Sequence, residues 1–242
     1  MNKIVTFLML AMVFFSSALA KAEEVTEEKK DNTFSVSGEL GIFSSYVNDN
    51  TGEYVNGIMT RQGLILTHNP TGLYIGALGY ISERGVDEID VYLGKSTEFG
   101  EFKFDTGIGI YNVDRLSDID GDFFIAYVGV DFPEALGIVP FVYLETDIPF
   151  REEFGKGGTL WKFGAKKSLE ISKQPIDLKL EFGGSDGIYD SIPMTVSFSR
   201  GIVSTKVNLL GLELVPSLMI QKGFGGIAET EWRAIAGFAI VF

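Results

Sequence analysis

Glu231–Trp232–Arg233–Ala234–Ile235–Ala236–Gly237–Phe238–Ala239–Ile240–Val241–Phe242 closes the chain, and the fold turns on how it is read. In steps of two, Trp232, Ala234, Ala236, Phe238, Ile240 and Phe242 make one uncharged face. Glu231, Arg233, Ile235, Gly237, Ala239 and Val241 make the other. Strict period-two patterning predicts a β-strand. One face has an aromatic residue at each end and all the charge lies on the other. That arrangement suits a slab of hydrocarbon with two wet boundaries, where strands carry aromatic girdles at both interfaces.

Upstream, alternating segments follow one another at the spacing of an antiparallel barrel or sandwich. They are Thr33 to Tyr46, Gly57 to Thr67, Leu73 to Ile81, Asp87 to Ser96, Phe102 to Tyr111, Asp122 to Asp131, Ile138 to Ile148, Gly158 to Leu169, Pro175 to Gly183, Ile192 to Ile202 and Gly211 to Gln221. With the closing strand the count is about twelve, the even number expected of a single-chain bacterial barrel, at about 9–11 residues per tilted strand. The fold expected is therefore all-β, an antiparallel up-and-down transmembrane barrel. The segment Phe102 to Tyr111 is the clearest, with Phe102, Phe104, Thr106, Ile108 and Ile110 opposing Lys103, Asp105, Gly107, Gly109 and Tyr111. In the segment Ile192 to Ile202, Met194, Val196 and Phe198 form the apolar face against Thr195, Ser197 and Ser199. Pro140 and Pro216 fall inside predicted strands, which disfavour proline; Pro140 suits a strand start and Pro216 a bulge.

The N-terminus predicts a cleaved secretory signal peptide over residues 1–20. Lys3 precedes the apolar run Ile4 to Phe15, and Ser16, Ser17, Ala18, Leu19 and Ala20 supply the small residues at the cleavage site. Residues 21–32, rich in Glu, Lys and Asp, form a charged lead-in without a face to bury. Residues 33–242 show no composition break and form one barrel domain. The net charge of −13 becomes one unit more acidic without Lys3, which argues against nucleic-acid binding. The absence of cysteine removes disulfides, thiolate metal sites and thiol catalysis.

A chain ending on phenylalanine resembles the closing strand of bacterial outer-membrane barrels. The resemblance implies an assembly signal in Phe238, Ile240 and Phe242, read by the barrel-assembly machinery. Placing the start of the first strand in the periplasm puts the links Val47 to Asn56, Arg115 to Gly121, Phe150 to Gly157, Ser185 to Ser191 and Gly223 to Thr230 outside the cell. It leaves tight turns at His68 to Gly72 and Thr97 to Glu101 inside. Trp161 and Trp232 then form an outer aromatic belt, and Phe34, Phe102 and Phe242 an inner one.

Three further runs are similar to a porin family called TorF. They are Ser37–Gly38–Glu39–Leu40–Gly41–Ile42–Phe43–Ser44–Ser45–Tyr46 with the later Gly63, Gly72–Leu73–Tyr74–Ile75–Gly76, and Glu88–Ile89–Asp90–Val91–Tyr92–Leu93–Gly94. The family's Arg-Gly step after the first strand is replaced here by Val47–Asn48–Asp49–Asn50. The resemblance implies a channel-like protein of the Gram-negative outer membrane and carries no catalytic residue.

Three local motifs invite chemistry. His68 is the single histidine, beside Asn69 and Pro70, and reads as a turn residue rather than a catalytic base. Asp118–Ile119–Asp120–Gly121–Asp122 starts like a calcium loop, but its glycine comes early and Gly129 stands where the bidentate Glu belongs. A solvated acidic loop, with weak Ca²⁺ binding as the rival, is the reading. Gly155–Lys156–Gly157–Gly158–Thr159 lacks P-loop spacing. No catalytic residue, metal or cofactor is expected.

What remains is the polar face: Glu39, Arg61, Asp90, Lys103, Asp105, Glu145, Asp147, Lys162, Lys166, Lys179, Glu181, Glu213 and Arg233. An Arg or Lys on the lipid face costs about 2–4 kcal/mol at the midplane, so these residues are expected to line a lumen. The many inward Gly, Ser and Thr are expected to leave it space. The function expected is passive diffusion of small polar solutes across an outer membrane of lipid and lipopolysaccharide. The alternatives are a non-conducting barrel with a structural, adhesive or receptor role, and a soluble secreted β-barrel binding protein.

Overall fold

The computed structural model describes residues 33–47, 54–82, 85–112, 122–150, 157–186, 195–209, 211–224 and 230–242. The predicted signal peptide, its cleavage site, the lead-in and most of the predicted outer loops, including the Asp118 motif up to Gly121, lie outside them. The strands are β1 (Phe34–Val47), β2 (Tyr54–His68), β3 (Leu73–Ser82), β4 (Gly85–Phe99), β5 (Phe102–Asn112), β6 (Asp122–Asp131), β7 (Val139–Pro149), β8 (Gly158–Ile171), β9 (Gln174–Asp186), β10 (Thr195–Thr205), β11 (Val207–Leu209), β12 (Leu212–Gly223) and β13 (Trp232–Val241).

Each strand from β1 to β9 pairs antiparallel with the next, β12 pairs with β13, and β13 returns to β1. At that seam Leu40 faces Ile240 and Ile42 faces Phe238. β10 and β11 both pair with β12 and share one position in the wall, so the sheet closes as a twelve-stranded antiparallel barrel. Closure leaves no unpaired edge, the condition for a sheet in a solvent that offers no hydrogen bonds.

The alternation read from the sequence decides which side faces out. Leu64, Ile75, Leu93, Ile110, Leu144, Phe163, Leu180 and Phe238, drawn from strands around the ring, are all exposed large apolar side chains. Their in-strand neighbours point inward. An apolar band of this extent is unfavourable in water and favourable in hydrocarbon.

The predicted segments correspond closely to the strands. Asp122 to Asp131 is β6 end for end, while β2 and β4 run longer at both ends than their segments. Pro140 is the second residue of β7, as expected near a strand start. Pro216 produces an interruption next door in place of the anticipated bulge. β10 pairs with β12 up to Ser204 opposite Ser217, and pairing resumes as β11 with Val207 opposite Leu214. A residue without an N–H cannot complete the ladder there.

One predicted face is wrong. A register shift separates Val196 from Phe198 in the β9–β10 ladder. A one-residue shift exchanges the two faces of a strand. Phe198 therefore points into the barrel, fully buried, instead of outward with the apolar face.

The turn between β2 and β3 is fixed by Gly72, whose N–H donates to His68 O at 3.0 Å with φ +69°. A Cβ there would lie 2.0 Å from Ser96 O, so only glycine fits. The Nδ1 of His68 lies 2.7 Å from Thr71 Oγ1, and its ring packs against Phe34 at 5.0 Å.

Candidate functional site

The inner face is polar because alternation sends most strand charges there; the outward Lys95, Lys167 and Lys222 lie near strand ends. It divides into two halves along the barrel axis. One half lies toward the end that holds Phe34, the β2–β3 turn and Phe242; the other lies toward the far end, at Pro149 and Gly158.

The first half contains a cavity of about 700 Å³. Its lining includes Tyr74, Tyr92, Tyr127, Tyr143, Asp105 and Lys166. The Tyr74 hydroxyl donates to Asp105 Oδ1 at 2.5 Å and lies 2.5 Å from the Tyr127 hydroxyl. Tyr127 and Tyr143 stack at 6.0 Å. Glycines on neighbouring strands receive these rings. A Cβ on Gly76 would meet Tyr92 at 2.3 Å, and one on Gly107 would meet the Tyr127 hydroxyl at 2.4 Å. The space expected from inward glycines is thus largely occupied by aromatic rings laid against the wall.

The second half is packed. Met59, Ile125, Leu160, Phe198 and Ile235, from five strands around the ring, are buried there. Beneath this apolar layer Arg200, 1% exposed, lies 3.1 Å from Glu181 Oε1 and stacks its guanidinium 4.2 Å from the Phe198 ring centroid.

The residues predicted to line a lumen fall into several groups. Arg61 donates to Glu39 at 3.0 Å and lies over Phe43 at 5.1 Å. Lys179 and Arg200 both contact Glu181, the former at 2.5 Å. Lys166 donates to both carboxylate oxygens of Asp131, at 2.7 and 2.9 Å. Glu145 accepts from Tyr111 at 2.9 Å and from Tyr143, while Lys162 Nζ lies 4.4 Å from the Tyr143 ring centroid. Asp147 lies close to Glu145, and Asp90 close to Glu88. The remaining three are separate. Lys103 pairs with Glu98 at 3.5 Å and Glu213 with Lys206 at 2.8 Å, near the end that holds Phe242; Arg233 pairs with Glu231 at 2.9 Å at the far end.

The aromatic residues predicted for belts sit on the outer side. Trp232 and Phe34 are exposed. Trp161 stacks on Phe163 at 5.8 Å, and Phe102 packs against Phe104 and Phe132. Phe238 and Phe242 of the predicted assembly signal also point outward and are exposed, with Ile240 between them.

Sequence reasoning missed Arg200 and the tyrosines. Arg200 is two residues from Phe198, so the shared face was there to be read: a guanidinium cannot face lipid. The tyrosines carried a pairwise signal, each opposite or diagonal to glycine on the next strand, as Tyr92 is to Gly76 and Tyr127 to Gly107.

Two solved structures share this architecture. One, titled KdgM porin, is 9% identical over 85% of this chain and 99% of its own, with a TM-score of 0.57. The other, titled NanC porin structure in rhombohedral crystal form, is 8% identical over 86% of this chain and 99% of its own, with a TM-score of 0.54. The chain has the fold of an outer-membrane β-barrel. No protein-family model and no curated protein sequence matches it. At such identities the likeness of this outer-membrane-type barrel to the two porins is one of fold alone.

Proposed function

We propose that the barrel is an outer-membrane channel for passive diffusion of small polar solutes. The observation that carries this reading is the cavity of about 700 Å³ inside a closed barrel, lined by hydroxyls, carboxylates and ammonium groups. A wet lumen with fixed charges discriminates solutes by charge and size without any chemical step. The signal-peptide pattern, with cleavage after Ala20, supports delivery across the inner membrane. The outward Phe238, Ile240 and Phe242 support recognition by the barrel-assembly machinery, and the resemblance to the TorF porins points the same way. His68 is engaged with Thr71 in a turn, which supports a reading without catalysis.

Purified mature protein, refolded in detergent and added to planar bilayers, is expected to give discrete conductance steps. A folded barrel, identified by heat-modifiable migration on gels, that never conducts would refute the channel.

One observation favours a second reading. The far half is filled by buried Met59, Ile125, Leu160, Phe198 and Ile235, with the Arg200–Glu181 pair beneath. If that layer stays shut in the membrane, the barrel is a receptor or scaffold whose cavity opens at one end.

A further inference from the structure

On the outer wall the register sets Ala165, Leu180, Gly201, Ile220 and Ala234 side by side, from β8 across β9, β10 and β12 to β13. Small and large residues alternate along that row. The next row toward the Phe34 end is Lys167, Leu178, Val203 and Leu218. Leu180, Val203, Leu218 and Ile220 are all exposed, yet a Cβ on Gly201 would meet no atom within 4 Å. The missing side chain leaves a groove of about 370 Å³ across β8 to β12, lined almost wholly by apolar atoms. An empty groove forfeits dispersion contacts along its walls, so a chain that enters it gains them.

The groove meets a charge at its edge. Lys167 shares the outer face with Leu178, where hydrocarbon penalises an ammonium. Its stem runs toward the β6–β7 turn at the end of the barrel, and its Nζ lies 4.0 Å from the place a Cβ on Gly137 would take. A lysine that covers apolar surface with its stem and holds its head at the boundary is snorkelling. Leu136, in the same turn, is 95% exposed and sets an apolar tip beside it. Among the described residues no carboxylate pairs with Lys167, and Glu134 of that turn forms no ion pair with it.

An apolar trough with an unpaired ammonium at the boundary matches an acyl chain that carries a phosphate. A second copy of the barrel matches less well. A two-fold axis along the membrane normal would bring both Lys167 ammoniums to one depth on facing surfaces, where like charges repel. With the start of the first strand in the periplasm, this end of the barrel lies in the leaflet of glycerophospholipids.

We propose that the groove over Gly201 holds an acyl chain of one glycerophospholipid, with its phosphate on Lys167. The site is on the outer wall, separate from the lumen, and stands whether or not the barrel conducts.

The test is native mass spectrometry of the mature barrel in detergent with phosphatidylglycerol, with diacylglycerol of the same chains and with inorganic phosphate. The wild type is expected to retain one phosphatidylglycerol about tenfold more tightly than diacylglycerol, the worth of a charge-assisted hydrogen bond. Lys167→Gln is expected to remove that preference. Gly201→Leu fills the groove without altering charge and is expected to weaken retention of both lipids by about tenfold. Lys95→Gln, at the outward ammonium of β4 away from the groove, is expected to change neither. A wild type without the preference overturns the proposal. So does a folded Lys167→Gln that keeps it, or a folded Gly201→Leu that retains both lipids as before. Displacement of the lipid by an equal concentration of inorganic phosphate, or a two-barrel mass that Gly201→Leu reduces to one, overturns the lipid as occupant. If one variant fails to fold, the other and the wild-type preference decide.

Discussion

Phe242 and Gly38 exchange both backbone hydrogen bonds across the seam, at 2.9 and 3.1 Å, and the Phe242 ring occupies the space that a side chain on Gly38 would fill. A Cβ on Gly38 would come within 2.6 Å of the ring and 2.8 Å of Gly63 O. Gly38→Val is therefore expected to displace the terminal ring and lower stability by about 1–3 kcal/mol, the usual range for overpacking. Urea unfolding in detergent and the fraction of heat-modifiable band measure it. Deleting Phe242 removes both bonds and the ring together, so its loss of assembled barrel exceeds that of Gly38→Val; equal yields of the two variants would contradict this account.

The Arg200–Glu181 pair is sealed from solvent, with side chains 0% and 2% exposed. Arg200→Met leaves the buried Glu181 carboxylate with Lys179 but without its buried guanidinium, and is expected to cost about 3–5 kcal/mol. Adding Glu181→Gln removes the stranded charge and restores most of the loss. Chemical denaturation of the single and double variants gives the coupling. Additive effects would show that the pair contributes nothing of its own.

Gly76 makes room for Tyr92 on the inner wall. Gly76→Val pushes that ring toward the axis of the barrel without altering any charge. Conductance is expected to fall and the largest polymer admitted to shrink, while the potassium-to-chloride ratio holds. Unchanged conductance from a folded variant would mean that the ring does not bound the passage.

Pro216 stands opposite the break between β10 and β11, around Lys206. Pro216→Val supplies an N–H where the ladder lacks one. Amide exchange at Thr205, Lys206 and Val207 is expected to slow several-fold as the two strands merge, since exchange follows local opening. Unaltered exchange would assign the break to the chain around Lys206 instead.

The wall of the barrel was legible because period two is written locally. Lys103, Asp105 and Tyr111 need only their neighbours in β5 to declare a side, and the hydrocarbon cost of charge says which side is in. The bulge before Phe198 was hidden because it depends on the partner strand; the one local sign of the changed face was Arg200, two residues on, whose charge excludes the lipid side. The fate of the glycines was hidden for a related reason. Gly76 reads as empty space until Tyr92, on the next strand, is placed against it. The pairing of Glu181 with Arg200 likewise follows from the β9–β10 register, which rests on that same bulge.

Because each ring is seated on a glycine of an adjoining strand, calibre and charge are written in different residues. A Gly→Ala change resizes the bore and spares its electrostatics; an Asp→Asn change does the reverse. If the proposed channel conducts, the sizes it admits and the ions it prefers are two independent traits of one scaffold.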